Sequence, residues 1–598
     1  MKAKIISFFT TTLLICSITF FLFSGCRKEL SFSGNPLPGS GVNDNIMVTG
    51  GINGTVVDES NRPVVGATVS SGVNTAITDR YGAFRFRNIS LSKSNGTVKV
   101  IRQGYYNAYR SFISVSGRVN NVRIKLIPKT IAGSFPATLG GTITISGGGK
   151  MVMPAGAVTD AGGSTYNGTV NVAMTWIDPT SPELSDILMG DLRGLTTSNE
   201  EMGLSTFGML GVELTGSTGQ ALKIATGKKA ELTFPIPAAL QGVAAPTIDL
   251  WHFDEPTVRW KQEGTATRSG NNYVGQVSHF SFWNCDAPFP LIDLCMTLNN
   301  PNGVPLINAQ VRIKRVSTGS YGYGRTDSIG NLCGKVPKNE PLILEVLDNC
   351  NMVVFSQNIG PFSANSTLGI ITVTIPAPNN LVITGTVTNC AGSNVTNGLA
   401  TVYITGGHNY FVPVTNGTFT VNVLRCSSGT LNFTVLGIDY ATLQQSAPVS
   451  GSGTTGSVNI GTIQACGTSS LQYIELLIDG VSTVYTSPPD FINSVDSVST
   501  GTYSNKTLIS ATRQNTGGTS YFAFSFLNNA VPGTYPLTNC FIVSTPTTIA
   551  TIITPNPTVT TTVFGPPVSG FIEGSFNIQM MVGATPKNVI CTFRVKRN

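Results

Sequence analysis

The chain has 598 residues, of which only 11% are charged, and it carries 65 glycines and a formal net charge of +7. At this length three to five domains are expected. The low charge argues against charge-driven disorder, and the composition is poor in helix formers, so a helical bundle is not expected. Because no Lys/Arg cluster is interleaved with aromatic residues, nucleic acid is not an expected partner. The composition predicts an all-β chain of short strands joined by Gly and Asn turns.

The N-terminus passes from a basic to an apolar to a small-residue segment that ends at Cys26. Two lysines precede an apolar run over residues 5–23, and Ser24 and Gly25 lead to the cysteine. This order resembles the lipobox of bacterial lipoproteins, with Phe23 where that family usually has leucine. The resemblance implies that residues 1–25 are a signal peptide and that Cys26 becomes the lipidated N-terminus. An ordinary signal peptide and a signal anchor remain as alternatives, because the run approaches the ~20 residues of a membrane span.

Residues 26–48 are rich in Gly, Pro, Ser and Asn, which predicts a flexible tether. Arg27-Lys28-Glu29 lacks the aspartate that marks inner-membrane retention and resembles the charged tethers of surface-exported lipoproteins. These features predict a membrane partner through lipidated Cys26, because two acyl chains anchor a protein stably. The expected location is the outer membrane, facing the periplasm or the surface.

A motif in residues 49–129 recurs later in the chain. Pro-Val-Val-Gly-Ala at 63–67 and Thr-Asp-Arg-Tyr-Gly at 78–82 return as Pro-Leu-Ile-Asn-Ala at 305–309 and Thr-Asp-Ser-Ile-Gly at 326–330. A degraded third copy begins near Leu381. The motif resembles the carboxypeptidase regulatory-like, transthyretin-like β-sandwich, a Greek-key fold commonly used as a spacer or adhesion module. The resemblance implies such sandwiches at 49–129, 291–378 and 379–467.

The aspartates of this motif, Asp79 and Asp327, are predicted to cap turns through their side-chain oxygens. The alternative is a role as calcium ligands, which is disfavoured because no other carboxylates cluster near them in the sequence.

Residues 130–290 have a different pattern. Gly-Gly-Thr-Ile-Thr at 140–144 leads to Pro-Ala-Gly-Ala at 154–157, and Leu-Trp-His-Phe-Asp follows at 250–254. The pattern resembles the paired β-domain of netrin receptors, ankyrins and tight-junction scaffolds, in which the domain packs against neighbours and binds partners.

Residues 468–598 have the alternating pattern of β-strands and predict a C-terminal β-domain. The predicted architecture is thus a row of Greek-key β-sandwich modules on a lipid-anchored tether.

The sequence contains three histidines and no motif for zinc, phosphate or serine-hydrolase chemistry. No enzyme, cofactor or metal is therefore expected. His279-Phe280-Ser281 is the tripeptide at which some relatives of the paired β-domain and a nucleoporin cleave themselves, by attack of the serine hydroxyl on the preceding carbonyl. The competing interpretation is an ordinary strand over residues 277–283. The strand interpretation is favoured. An intact chain is therefore expected, with autoprocessing at Phe280–Ser281 as the alternative.

Nine cysteines remain after Cys16 and Cys26, and all lie beyond residue 284. An exported chain is expected to form disulfides. The predicted pairs are Cys390 with Cys426, Cys333 with Cys350, and Cys540 with Cys591. Because nine is odd, at least one thiol is unpaired or pairs outside the chain.

Two functions are compatible with these features. The first is a non-enzymatic structural or adhesive scaffold of the cell envelope that binds a protein or glycan ligand. The second is an accessory glycan-binding lipoprotein of an uptake or secretion system, with Tyr105, Tyr106, Tyr321 and Tyr323 as candidate platforms. Coplanar exposed aromatic rings would favour the second function.

Overall fold

The computed structural model describes residues 44–597 except 427–428, 443, 468–471, 480, 488–490, 500, 516–517, 544–549, 568–569 and 583–584. The regular secondary structure of the described chain is almost entirely β-strand, which confirms the predicted fold class. Its strands pair in five groups that follow one another along the chain and are called the first to fifth modules below. Within these residues, no helix combines the length and apolar character needed to cross a bilayer.

The first module is a two-layer sandwich. Its strands are β1 Met47–Val57, β2 Thr68–Ser71, β3 Asn74–Ile77, β4 Ala83–Ser92, β5 Gly96–Ile101, β6 Ala108–Phe112 and β7 Val119–Lys125. In one sheet β1 lies between β4, which is antiparallel, and β7, which is parallel. The other sheet has the order β3-β2-β5-β6. Apolar side chains from the two sheets face one another and form the core.

The second module is built on one large sheet with a short helix at its side. Its elements are β8 Ile131–Pro136, β9 Gly141–Thr144, β10 Lys150–Met153, β11 Val158–Asp160, β12 Thr169–Ile177, α1 Leu184–Ile187, β13 Arg193–Leu195, β14 Glu201–Gly216, β15 Ala221–Ile224, β16 Ala230–Pro235, a 3-10 helix Ala238–Val243, β17 Thr247–Asp254, β18 Arg259–Ser269, β19 Asn272–Val277 and β20 Phe282–Phe289. The long strand β14 is central, because β12, β13, β15 and β20 all pair with it.

The third and fourth modules repeat the topology of the first. Their elements are β21 Leu291–Asn299, β22 Gln310–Arg315, β23 Tyr321–Arg325, β24 Asn331–Pro337, β25 Leu342–Leu347, β26 Val353–Ile359, β27 Ser366–Thr372, a 3-10 helix Ala377–Asn379, β28 Asn380–Thr388, β29 Gly398–Ile404, β30 His408–Val414, β31 Thr418–Leu424, β32 Leu431–Asp439, β33 Gln444–Gln445, β34 Val449–Gly453 and β35 Gly456–Gln464. As β1 does, β21 and β28 each lie between one antiparallel and one parallel neighbour. The degraded third copy of the motif therefore keeps the fold of the first two.

The fifth module is an antiparallel sheet of ten strands. They are β36 Gln472–Ile478, β37 Val481–Ser487, β38 Phe491–Val498, β39 Asn505–Asn515, β40 Gly518–Asn528, β41 Gly533–Val543, β42 Ala550–Ile552, β43 Thr558–Phe564, β44 Phe571–Val582 and β45 Thr585–Lys596. The last strand, β45, pairs on both sides, with β36 and β44.

The repeated Thr-Asp motif makes the same hydrogen bonds in the first and third modules. Thr78 Oγ1 accepts a bond from the Ala67 amide at 2.8 Å, and Asp79 Oδ1 accepts bonds from the amides two and four residues later, at 2.8 and 2.9 Å. Thr326 and Asp327 accept the equivalent bonds in the third module. The predicted turn-capping role of both aspartates is confirmed by these bonds.

Candidate functional site

The loop between β12 and β13 projects a single helical turn from the second module toward its neighbours. Asp178 Oδ1 accepts a bond from the Thr180 amide at 2.8 Å, which bends the chain before α1. Pro179 and Pro182 have no amide donors, so the segment before α1 does not extend the helix. The turn places Asp186 among residues of three other modules.

Asp186 is the centre of a buried charge cluster. Its carboxylate forms ion pairs with Arg123 of β7 and, at 3.4 Å, with Arg325 of β23. The Asp186 side chain is only 6% exposed. Burial alone would raise its pKa, but the cations of Arg123, Arg325 and Arg110 outweigh that effect and lower the pKa to about 2. The cluster therefore joins the first, second and third modules through a carboxylate that stays ionised.

The fourth module reaches the same cluster through the turn before β30. Arg123 Nε donates to the Gly407 carbonyl at 3.1 Å. The neighbouring His408 lies close to Arg123 and Arg325, and burial together with these cations holds its pKa well below the ordinary value. On the other side, Lys125 Nζ pairs with Glu183 at 2.6 Å. Four modules thus meet around Asp186.

A second contact joins the first and fourth modules. The rings of Tyr81 and Tyr403 stack with centroids 3.7 Å apart, and the Tyr403 hydroxyl donates to Asp79 Oδ2 at 3.3 Å. Burial raises the pKa of Asp79 in spite of the nearby Arg85. Strand β29 is buried along its whole length because one face meets its own core and the other meets the first module.

A cavity of about 210 Å³ adjoins the charge cluster between the first three modules. Its charged lining residues are Arg110, Arg118, Arg123, Arg193, Arg315, Arg325, Lys335, Asp191 and Asp327. Five of these seven cations pair with carboxylates behind the lining: Arg123 and Arg325 with Asp186, Arg193 with Glu201, Arg315 with Glu340, and Lys335 with Asp293. The positive charge open to a ligand therefore rests mainly on Arg110 and Arg118. The cavity is smaller than the ~300–1,000 Å³ of pockets for drug-sized ligands, so it fits a small anionic group.

Three buried polar atoms of this lining have no hydrogen-bond partner: Arg110 Nη2, Asn120 Nδ2 and Asn121 Oδ1. Arg110 Nη1 donates to the Tyr109 carbonyl at 3.0 Å and to the Leu188 carbonyl, which leaves Nη2 available. Burial lowers the pKa of Arg110 to about 10, so the guanidinium remains charged at neutral pH. Buried polar atoms are normally paired, so these atoms indicate a site for a polar ligand or for water.

The tyrosines considered for glycan binding do not form a flat platform. Tyr106 is 1% exposed and packs edge-on against Phe282 in the contact between the first two modules. The rings of Tyr321 and Tyr323 are 6.2 Å apart and inclined at 42°. Tyr105 is only partly buried, and its hydroxyl faces Glu59 at 3.3 Å.

The tripeptide His279-Phe280-Ser281 lies between β19 and β20, so the expectation of a continuous strand over 277–283 is wrong. The two strands pair with different neighbours, and the chain must cross between them. Ser281 Oγ donates to the Phe282 carbonyl at 3.0 Å, whereas His279 Nε2 faces Glu263 Oε2 at 3.3 Å. The histidine is thus oriented toward Glu263. The intact chain expected at Phe280–Ser281, with self-cleavage as the alternative, stays a prediction.

The disulfides differ from the predicted pairs. Cys390 joins Cys466 rather than Cys426, with Cα atoms 4.7 Å apart, because both follow the ends of the adjacent strands β28 and β35. Cys333 joins Cys295 rather than Cys350, because the two face each other directly across β21 and β24. The remaining pair has Cα atoms 5.2 Å apart and links the third module to the fourth: Cys350 with Cys426.

The predicted bridge between Cys540 and Cys591 is also wrong. Both are unpaired thiols in the apolar core of the fifth module, and Cys285 is a third buried thiol. Burial raises the pKa of Cys540 to about 12 and that of Cys591 well above the ordinary value. These thiols are therefore protonated and unreactive at neutral pH.

The predicted lipid anchor, Cys26, lies outside the described residues. The tether predicted to end at residue 48 ends earlier, because β1 begins at Met47. Just before it, the Asp44 carboxylate pairs with Arg259 of β18, whose side chain is 1% exposed. The chain is therefore fixed to the second module before it enters the first.

These features define a multi-domain all-β protein whose modules share buried polar contacts. Residues 51–127, which lie in the first module, match the carboxypeptidase regulatory-like domain family. The second copy of the motif and its degraded third copy share the topology of that module.

Sequence relatives cover limited parts of the chain. Cartilage intermediate layer protein 2 of Mus musculus is 30% identical over 155 residues, which span 25% of this chain and 13% of the mouse protein. The same protein of Homo sapiens is 28% identical over 124 residues, or 21% of this chain and 11% of the human protein. The chain therefore spans only a small part of these curated relatives.

Two solved pilin structures are also similar. The shaft pilin SpaA of Lactobacillus rhamnosus GG is 10% identical over 30% of this chain and 99% of the pilin, with a TM-score of 0.15. The major pilin subunit BcpA of Bacillus cereus is 8% identical over 70% of this chain and 99% of the pilin, with a TM-score of 0.11. TM-scores this low define no common arrangement of modules.

Proposed function

We propose that this protein is a non-enzymatic lipoprotein of the cell envelope, in which rigidly joined β-modules serve a structural or adhesive role above the membrane. The observation that carries the proposal is the buried charge cluster around Asp186, to which four modules contribute. Domains joined by ordinary small polar interfaces move relative to one another. Buried ion pairs and a disulfide between modules oppose such motion.

The second module has the central place in this scaffold. It supplies Asp186 to the cluster, and its Arg193 Nη1 also donates to the Ser94 carbonyl of the first module at 2.8 Å. Its Glu201 lies 3.9 Å from Lys335 of the third module. This arrangement supports the interdomain packing role implied by the resemblance of residues 130–290 to the paired β-domain of netrin receptors and ankyrins.

The membrane anchor is tested by replacing the cysteine of the lipobox. Cys26→Ser should abolish acyl labelling and release the protein from the membrane fraction, because the thiol that accepts the lipid is lost. Cys16→Ser is the matched control, since it changes a cysteine ten residues upstream and should leave labelling intact. Metabolic labelling with an acyl probe and outer-membrane fractionation measure both. Wild-type protein that takes up no label would contradict the proposal.

A second candidate function rests on the unpartnered Arg110 Nη2 in the cationic cavity. We infer that the cavity binds the carboxylate of an acidic sugar, which would make the protein an accessory glycan-binding lipoprotein. Because Arg110 Nη1 is already bonded to two carbonyls, Nη2 is the nitrogen that can donate a charge-assisted hydrogen bond to the ligand carboxylate. Burial of the cavity strengthens that attraction relative to open solvent.

Binding of an acidic sugar is tested with glucuronic acid and, for comparison, uncharged glucose. Saturation-transfer NMR should show binding of the acid and not of glucose, and Arg118→Gln should weaken it about tenfold, because this arginine also lines the cavity. Arg80→Gln, on the exposed surface of the same module, is the control. Equal binding of both sugars, or no effect of Arg118→Gln, would exclude the cavity as the site.

A further inference from the structure

Two of the three histidines in the chain converge on one glutamate at the surface of the second module. His252 belongs to β17, Glu263 to β18, and His279 to the connection between β19 and β20. The Nε2 atoms of His252 and His279 lie 3.5 and 3.3 Å from Glu263 Oε2. One ligand atom from each residue lies within 4.8 Å of the other two. Residues separated by up to 27 positions thus form a compact set of nitrogen and oxygen donors.

The backbone explains this convergence. His252 stands opposite Lys261 in the β17–β18 pairing, so Glu263, two residues further on, is its diagonal neighbour on the same face. The strands shift register between Asp249 and Trp251, and Gly264 has a φ of +85°. Such a bulge redirects nearby side chains, and here Glu263 faces His252.

The connection that carries His279 is held by Trp283 of β20. The Trp283 indole Nε1 donates to the His279 carbonyl at 3.1 Å, and the two rings are 5.0 Å apart. Ser278 Oγ donates to Glu263 Oε1 at 2.8 Å, which leaves Oε2 directed at the two imidazoles. A hydrogen bond of this type orients a metal-binding carboxylate.

We propose that His252, Glu263 and His279 bind a divalent transition-metal ion, with Zn²⁺ the best match, and leave one coordination position open to water. Zinc is bound tetrahedrally by imidazole nitrogen and carboxylate oxygen at ~2.0–2.2 Å, which places neighbouring ligand atoms about 3.4 Å apart. The two nitrogen–oxygen distances of 3.5 and 3.3 Å match that spacing. Three protein ligands and an open fourth position are typical of accessible zinc sites.

The charge states of the donors agree with the geometry. Glu263 supplies one carboxylate charge to the divalent ion, and the two imidazoles bind it as neutral nitrogen donors. The nearest lysine, Lys261, pairs with Asp254 at 3.1 Å and is thereby partly neutralised.

The site is tested by calorimetric titration of ZnCl₂ into the detergent-solubilised full chain after removal of metal with EDTA. One equivalent should bind, and Glu263→Gln, His279→Ala and His252→Ala should each weaken binding at least tenfold, because each removes one of three ligands. Glu200→Gln, an exposed glutamate of the same module, should bind as the wild type does.

Cobalt supplies an independent readout. Co²⁺ bound tetrahedrally at this site should give visible d–d bands without the intense near-ultraviolet band of thiolate ligation, which separates it from binding at the cysteines. The Glu263 and His279 side chains are 43% and 40% exposed, so their variants should fold even if the His252 variant does not. Absence of a saturable site, or binding that survives both of these substitutions, would overturn the proposal.

Discussion

Asp186→Asn should destabilise the first four modules by about 3–5 kcal/mol, the usual cost of removing one partner from a buried ion pair. The substitution keeps the size of the side chain but leaves Arg123, Arg325 and Arg110 without their common counter-charge. Calorimetric unfolding should therefore begin at a lower temperature. Asp178→Asn is the matched control, because asparagine at that turn still accepts the Thr180 amide bond.

The same carboxylate gives a defined dependence on pH. The pKa of Asp186 is about 2 in the folded protein, below the ordinary value of 3.8. Its stabilising contribution is therefore complete above about pH 4 and is lost as the pH falls to about 2, an effect of roughly 2 kcal/mol. The Asn variant should lack this part of the acid destabilisation. Parallel pH profiles for wild type and variant would contradict a charged Asp186 at the centre of the cluster.

Joint replacement of Cys350 and Cys426 by serine should separate the third and fourth modules. The closed loop spans 76 residues, for which the chain-entropy estimate is about 4 kcal/mol. The variant should become sensitive to protease in the segment 373–379 and unfold at a lower urea concentration.

The bond between Cys390 and Cys466 provides a matched control, because it also spans 76 residues but lies within one module. Its joint replacement should lower stability by a similar amount without exposing the segment between modules. Non-reducing peptide mapping establishes the pairs directly. Recovery of Cys390 linked to Cys426 would contradict the structure and restore the pairing expected from sequence.

Local patterns predicted the all-β fold and the repeated turn correctly. The turn-capping bonds of Asp79 Oδ1 are local, because they come from amides within four residues. The disulfides depend instead on which strands become neighbours. Cys390 and Cys426 both lie at strand ends, yet β28 adds β35 as its parallel partner and so brings Cys466 to Cys390.

The Asp186 charge cluster and the histidine–glutamate group could not be predicted from the sequence for the same reason. Asp186 lies in a loop of unremarkable composition, and its partners Arg123 and Arg325 are 63 and 139 residues away. In the histidine–glutamate group, His279 belongs to the His-Phe-Ser tripeptide and His252 to the Leu-Trp-His-Phe-Asp segment, whereas Glu263 is positioned by a bulge that no periodicity marks. For contacts between modules, the sequence gives an indication only at strand β29, because its apolar run predicts burial on both faces.

Hydrogen exchange followed by mass spectrometry tests most directly whether the Asp186 cluster joins the modules. Amide exchange measures the free energy of local opening along the chain. Asp186→Asn should accelerate exchange in α1, β7, β23 and β30, which belong to four different modules, while Asp178→Asn should leave these strands unchanged. Acceleration confined to the loop around α1 would show that the modules are not joined through this charge cluster.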